Sequence, residues 1–221
     1  MSMILWQNCE VKEVYLSRIM LDSTKPKTML ALASPNLFHG AIEAAASDAR
    51  ARKLWRVDML HGVRCLLILS ENETDWSSVA EQFGSPDKPV ETKAYDTLLA
   101  RIFNGSRWQF RLRANPTIAV KQDGARGKVL AHTTTDYQMK WLTDRAESHG
   151  FLLKPEEYLV TENKWYSFRK GNTHRVRMLA VTFEGLLTVT DVTLFRKMLT
   201  EGIGREKAYG MGLLTVTSPR N

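Results

Sequence analysis

The order of strand-like and helix-like stretches constrains this chain more than any single motif in it. Tyr15 to Leu21 alternates as a strand does, and Ser34-Pro35 then opens a helix with proline at its first position, leading into the alanine-rich segment Gly40 to Arg52. Leu54 to Asp58 and Arg64 to Leu69 read as two strands across a short connection containing Gly62, followed by a helix over Asp75 to Phe83 that Thr74 would cap. A short strand near Val90 to Tyr95 comes next, and Asp96 to Phe103 forms a helical connector ending at Asn104-Gly105. From Arg107 the pattern begins again: strand Arg107 to Ala114, helix Asp136 to Ser148, strands Lys164 to Lys170 and Thr173 to Val181, helix Val192 to Thr200, strand Leu213 to Thr217.

Each half thus reads β-α-β-β-α-β, the order of a ferredoxin-like unit. The expected fold is α+β, two ferredoxin-like (RRM-like) domains in tandem. The division places an extension at residues 1–14, a first domain at 15–104 and a second at 105–221. The 221 residues suit two cores of about 100 residues each, and 43% hydrophobic content is enough to fill them. Cys9 and Cys65 are too few for a disulfide framework, and no Cys/His cluster has zinc spacing. Apolar runs such as Leu66 to Leu69 fall far short of the roughly 20 residues that span a bilayer. The expectation is a cytoplasmic protein with no membrane segment, metal or cofactor.

Charge separates the halves. Residues 1–104 carry 12 Lys+Arg against 13 Asp+Glu, whereas residues 105–221 carry 19 against 11, so the whole excess of the +7 chain lies in the second half. A polyanion is the natural partner of that half. In the strand Arg107 to Ala114, Trp108, Phe110 and Leu112 fall on one face, and Arg107, Arg111 and Arg113 fall on the other with Gln109. Guanidinium forks suit phosphate oxygens, so Arg111 and Arg113 are candidate phosphate ligands; the alternative is salt bridging to the neighbouring domain. Farther on, Gly171-Asn172 fits a two-residue hairpin turn whose tip is crowded by Arg169, Lys170, His174, Arg175 and Arg177. Such a hairpin grips a nucleic-acid backbone electrostatically, while Tyr166 and Phe168 read as core. Near the C-terminus, Gly202, Gly204, Gly210 and Gly212 punctuate a run between the last helix and the last strand, a spacing that is neither a Rossmann fingerprint nor a P-loop.

That run, Gly-x-Gly-x-x-x-x-x-Gly-x-Gly followed by Leu-Leu-Thr-Val, resembles the glycine-rich loop of the repeat-associated RNA-binding superfamily of CRISPR proteins. Tyr15-Leu-Ser-Arg-Ile, Phe110-Arg-Leu-Arg-Ala-Asn-Pro116 and Val181-Thr-Phe-Glu-Gly-Leu-Leu-Thr-Val189 resemble stretches of the CasE family of CRISPR-associated endoribonucleases, in order and across nearly the whole chain from Tyr15. The resemblance implies the same tandem fold. It also implies metal-independent cleavage of CRISPR repeat hairpin RNA, with the crRNA product retained among the other subunits of a Cascade complex.

The family's histidine at the start of the first helix corresponds to His39 in Ser34-Pro-Asn-Leu-Phe-His39, which makes His39 the catalytic candidate. Imidazole chemistry suits removal of the ribose 2′-hydroxyl proton, giving a 2′,3′-cyclic phosphate. His61, His132, His149 and His174 take structural or RNA-contact readings. Some members carry a tyrosine three residues before the histidine, where this chain has Asn36, so the resemblance assigns no general acid. Lys25 and Lys27, in the connection before the helix, and Lys207 in the glycine-rich run are candidates for stabilising charge on the phosphorane. The main rival is a non-catalytic RNA-binding subunit of the same fold; a basic module for DNA or unstructured RNA is a third reading.

Overall fold

The structure, a computed structural model, describes residues 13–46, 51–122, 125–170 and 174–219. In the N-terminal half, β1 (Tyr15–Met20) leads into α1 (Pro26–Ala33) and α2 (Asn36–Ala45). β2 (Lys53–Leu60) and β3 (Val63–Ser70) form a hairpin, and α3 (Ser77–Phe83), β4 (Glu91–Ala94) and α4 (Asp96–Ala100) follow. The four strands form an antiparallel sheet in the order β2-β3-β1-β4. His61 and Gly62, both at positive φ, make the β2–β3 turn, the geometry that right-twisted hairpin strands favour.

Strand alternation sends this sheet's side chains to two different cores. Ile19, Leu66 and Ile68 meet Phe38 and Ile42 of α2 and Val79 and Phe83 of α3, with the Phe38 and Phe83 rings 4.8 Å apart. Leu54 and Leu69 lie on the opposite face and join the core of the C-terminal half. The sheet is therefore buried on both sides, which explains its near-continuous apolar strands.

The C-terminal half begins with β5 (Arg107–Ala114), then a two-stranded hairpin of β6 (Thr117–Gln122) and β7 (Ala125–Ala131), and α5 (Thr135–Ala146). β8 (Phe151–Leu152), β9 (Tyr158–Lys170), β10 (His174–Val189), α6 (Val192–Glu201) and β11 (Leu214–Thr217) complete it. Its main sheet runs β11-β5-β10-β8, with β9 also beside β10. With β8 and β9 together in the second-strand place, both sheets follow one ferredoxin-like order. Trp108, Phe110 and Leu112 point into the core as their alternation requires, against Trp141, Phe183 and Phe195. Asp191 caps α6 by accepting from the amides of Thr193 and Leu194 at 2.8 and 2.9 Å.

Some sequence expectations need correction. The connection before the first helix is itself helical, so Lys27 lies within α1. Thr74 does not cap α3: its hydroxyl donates to the Asn72 carbonyl, and Asp75 instead accepts from the Ser77 amide at 2.9 Å. β9 starts six residues before Lys164 and β10 runs on to Val189. The alanine-rich helix stops at Ala45. The β6–β7 hairpin was not foreseen. The proposed Gly171-Asn172 turn, Cys9 and nearly all of the 1–14 extension lie outside the described residues.

One buried guanidinium fastens the halves. Arg56 on β2 is 1% exposed. Its Nη1 donates to the main-chain carbonyls of Arg111 and Leu213 at 2.8 and 2.7 Å. Nη2 and Nε reach the Asp58 carboxylate at 2.6 and 2.7 Å, and Nη2 also reaches Thr215 Oγ1 at 2.8 Å. All five donors are directed at acceptors, the condition under which a buried charge is tolerated.

Candidate nuclease site and RNA-facing surfaces

His39 is the fourth residue of α2. The apolar face of that helix buries Phe38 and Ile42, which turns His39 to the rim, where its side chain remains 32% exposed. Nδ1 lies 3.8 Å from Oε1 of Glu43, one turn along the same helix. Glu43 Oε2 accepts from Lys53 Nζ at 3.0 Å, so the carboxylate beside the imidazole is fixed from β2. Asn36, one turn before His39, has its Oδ1 buried without a hydrogen-bond partner; this carbonyl oxygen accepts protons and cannot donate one.

The glycine-rich run supplies the other wall. A single turn, Lys207–Tyr209, brings the Tyr209 ring edge-on to His39 with centroids 6.4 Å apart. Tyr209 also meets Phe168 of β9 at 5.0 Å. With Met211, it packs into a cluster holding Tyr166, Phe168, Met178 and Ala180. Tyr166 and Phe168 are therefore core residues, as their positions on the strand suggested.

The glycines of this loop approach neighbouring protein groups closely. A Cβ on Gly210, at φ +79°, would stand 2.7 Å from the Trp55 ring, and one on Gly212, at φ +90°, would stand 2.7 Å from the Ile203 carbonyl. Gly202 and Gly204 press likewise on Leu54 and Trp141. The loop is further held by the Gly212 amide donating to the Arg113 carbonyl at 2.7 Å. Burial, with Arg52 adding to it, pushes the Lys207 ammonium pKa below its usual range, while Glu201 opposes the shift.

The other candidates separate into three places. Lys25 donates to the carbonyls of Glu81 and Gly84 at 3.0 and 2.7 Å, closing the C-terminal end of α3, and Lys27 Nζ lies 5.7 Å over the Phe83 ring. Arg111 meets Asp58 of the other half at 3.3 Å and Glu184 at 2.6 Å, the salt bridge between halves that was the alternative to phosphate. Arg113 is buried, donating to Tyr166 OH at 3.1 Å with Glu162 at 3.7 Å. Arg169, Arg175 and Arg177 are exposed on the outer face of the β9–β10 hairpin, opposite its aromatic inner face. The side chains of Lys170 and His174 lie outside the described residues.

Sequence reasoning passed over three contributors. Tyr209 stood inside the glycine run, where only the glycines drew notice. Glu43 is four residues from His39, a helical spacing that signals the pairing. Trp165 alternates with buried Tyr166 and Phe168, which marks it as outward-facing: it is 47% exposed, with the Arg177 guanidinium 4.7 Å over its ring. Among the described residues there is no group of three His, Cys, Asp or Glu side chains arranged to hold a metal ion, and no helix is long and apolar enough to cross a membrane.

Comparison with known proteins identifies the family. CRISPR-associated endoribonuclease Cse3 of Thermus thermophilus is 31% identical over 222 residues, covering 92% of this chain and 99% of that protein. A structure of Thermus thermophilus Cse3 bound to an RNA representing a pre-cleavage complex superposes with a TM-score of 0.78 at 30% identity, over 93% of this chain and 99% of that one. A chain of a CRISPR RNA-guided surveillance complex in a pre-nicking state shares the fold, with a TM-score of 0.68 at 22% identity and coverage of 93% and 100%. The sequence model of the family described as CRISPR associated protein matches residues 14–218, and the chain belongs to that family.

Proposed function

We propose that this protein is an endoribonuclease that cuts CRISPR repeat RNA at the base of its hairpin without a metal ion and holds the product within a Cascade assembly. The observation that carries the reading is the placement of His39: a half-open imidazole at the meeting of α2 and the glycine-rich loop, in a chain whose cationic excess lies in the other half. The RNA-bound Cse3 relative and the surveillance-complex likeness support the same substrate and assembly.

The chemistry follows from what an imidazole does beside a ribose. His39 takes the 2′-hydroxyl proton, the 2′-oxygen attacks the adjacent phosphorus, and the bond to the 5′-oxygen breaks as that oxygen takes a proton from water. The products are a 2′,3′-cyclic phosphate and a 5′-hydroxyl. Glu43 opposes the positive charge that His39 acquires. Lys207, on the loop that also carries Tyr209, is the candidate for countering charge on the phosphorane. Arg169, Arg175 and Arg177 hold hairpin phosphates from the outer face of β9–β10.

Single-turnover cleavage of a repeat hairpin in excess EDTA tests this. Wild type should cut, and His39→Ala should lose about 10³-fold or more in rate with affinity within about twofold. Deoxyribose at the nucleotide upstream of the cut should block cleavage; continued cutting would exclude 2′-hydroxyl attack. Asn36, standing where some members of the family carry a tyrosine, favours a second reading, an RNA-binding subunit without activity. Tight binding of an all-ribose hairpin with no cutting would establish that reading instead.

A further inference from the structure

A cleft of about 180 Å³ lies between the two halves, bordered by α2 and β2 on one side and by β5, β9 and the glycine-rich loop on the other. We propose that it binds one unpaired ribonucleotide, with phosphate oxygens on Arg64 and Lys164, base acceptors on Trp55 Nε1 and Arg113 Nε, and the base among the rings of Trp55, Tyr166 and Tyr209. The proposal rests on the RNA-binding reading above and extends it to RNA outside the hairpin.

Two buried nitrogen donors at this cleft have no hydrogen-bond acceptor: Trp55 Nε1 and Arg113 Nε. Trp55 is 3% exposed and Arg113 9%. A buried N–H without an acceptor is costly, and native structures contain few of them, so two around one cavity indicate a ligand rich in acceptors. Charge narrows the class. Arg64, Arg111, Arg113 and Lys164 face Asp58 and Glu162 around the cleft, four positive groups against two negative, which selects an anion. Both carboxylates already have cationic partners, Asp58 in Arg56 and Arg111, and Glu162 in Arg113. Aromatic rings narrow it further, because Trp55, Tyr166 and Tyr209 border the same space and give a flat heterocycle surfaces to stack on. Phosphate, base acceptors and a stacking plane occur together in a nucleotide. The space is too small for a duplex, so the nucleotide must be unpaired. Tyr209 borders the cleft and also meets His39, so an occupant would lie next to the proposed cutting site.

The test measures affinity for a bare repeat hairpin and for the same hairpin carrying a four-nucleotide single-stranded extension, on the 5′ side in one set and the 3′ side in another. For wild type, one of the extensions should tighten binding about tenfold. The double variant Arg64→Gln/Lys164→Gln, at the rim where folding is not at stake, should lose most of that gain while binding the bare hairpin as wild type does. Arg113→Met should do the same, with its melting temperature measured beside it. Equilibrium dialysis with a labelled mononucleotide forms an arm independent of the hairpin: binding by wild type that is lost in the double variant supports the cleft even if no hairpin is bound. Equal affinity of wild type for bare and extended hairpins, together with no mononucleotide binding, overturns the proposal. So does an equal loss for bare and extended hairpins in the double variant. Failure of wild type to cut the hairpin would instead sink the nuclease reading and leave the cleft standing.

Discussion

The two halves share one strand order and differ most in the hairpin joining their second and third strands. In the N-terminal half that hairpin has two eight-residue strands closed by His61-Gly62. In the C-terminal half the corresponding strands have 13 and 16 residues. The short hairpin matches the width of its sheet and contributes to cores on both faces. The long one continues past β5, so that residues 174–180 of β10 pair only with β9. Its inner face is aromatic and packs on the glycine-rich loop, while its outer face carries Trp165, Arg169, Arg175 and Arg177. The strand length needed for the fold ends where β5 ends; what extends beyond is available for a ligand. The N-terminal half contributes a helix with His39 instead of an arm.

Four variants probe this division, beginning with the contact that joins the halves. Arg56→Met removes the buried guanidinium and leaves two carbonyls and a carboxylate without their donor, so chemical denaturation should show a loss of about 4 kcal/mol. A loss below about 1 kcal/mol would mean that Arg56 is not what fastens the halves. Gly210→Ala forces a side chain into a left-handed position against Trp55 and should cost about 2–3 kcal/mol; an unchanged melting temperature would show that the loop is not clamped there. Arg169→Gln, Arg175→Gln and Arg177→Gln combined should weaken hairpin RNA binding about 30-fold and lower the slope of log affinity against log salt by about 2, without changing stability. An unaltered slope would remove the arm from the RNA interface. Lys25→Met, which uncaps α3, should cost about 1 kcal/mol and leave RNA affinity untouched; weakened RNA binding would return Lys25 to the list of phosphate ligands.

What could be read beforehand follows the strength of local signals. β5 was legible to the residue, because Trp108, Phe110 and Leu112 alternate with long polar side chains over a full strand. The β6–β7 hairpin was not, because Pro116, Gly124 and Gly127 read as breaks. Its Ile118, Val120, Val129 and Leu130 also stay substantially exposed, so no buried face imposes a pattern. α1 was hidden for a similar reason: an eight-residue helix opening with Pro-Lys-Thr offers too little periodicity. The alternation in β5 gave the faces of Arg111 and Arg113 but not their partners, since Asp58 and Glu162 are remote in sequence. Arg56 was the least visible. Two of its acceptors are main-chain carbonyls 55 and 157 residues away, and no side-chain pattern announces a main-chain acceptor.

The register of the long hairpin carries one more implication. Arg169 and Arg175 stand directly opposite each other, an arrangement that opposes strand pairing unless the charges are neutralised. Added salt should therefore steady the pairing of Arg169 with Arg175 by shielding the two guanidinium groups from each other, while loosening the hairpin's hold on RNA. Amide exchange at Arg169 and Arg175 and RNA affinity would then fall together as ionic strength rises, and bound RNA would quieten the same amides at low salt by acting as counterion to the two guanidinium groups.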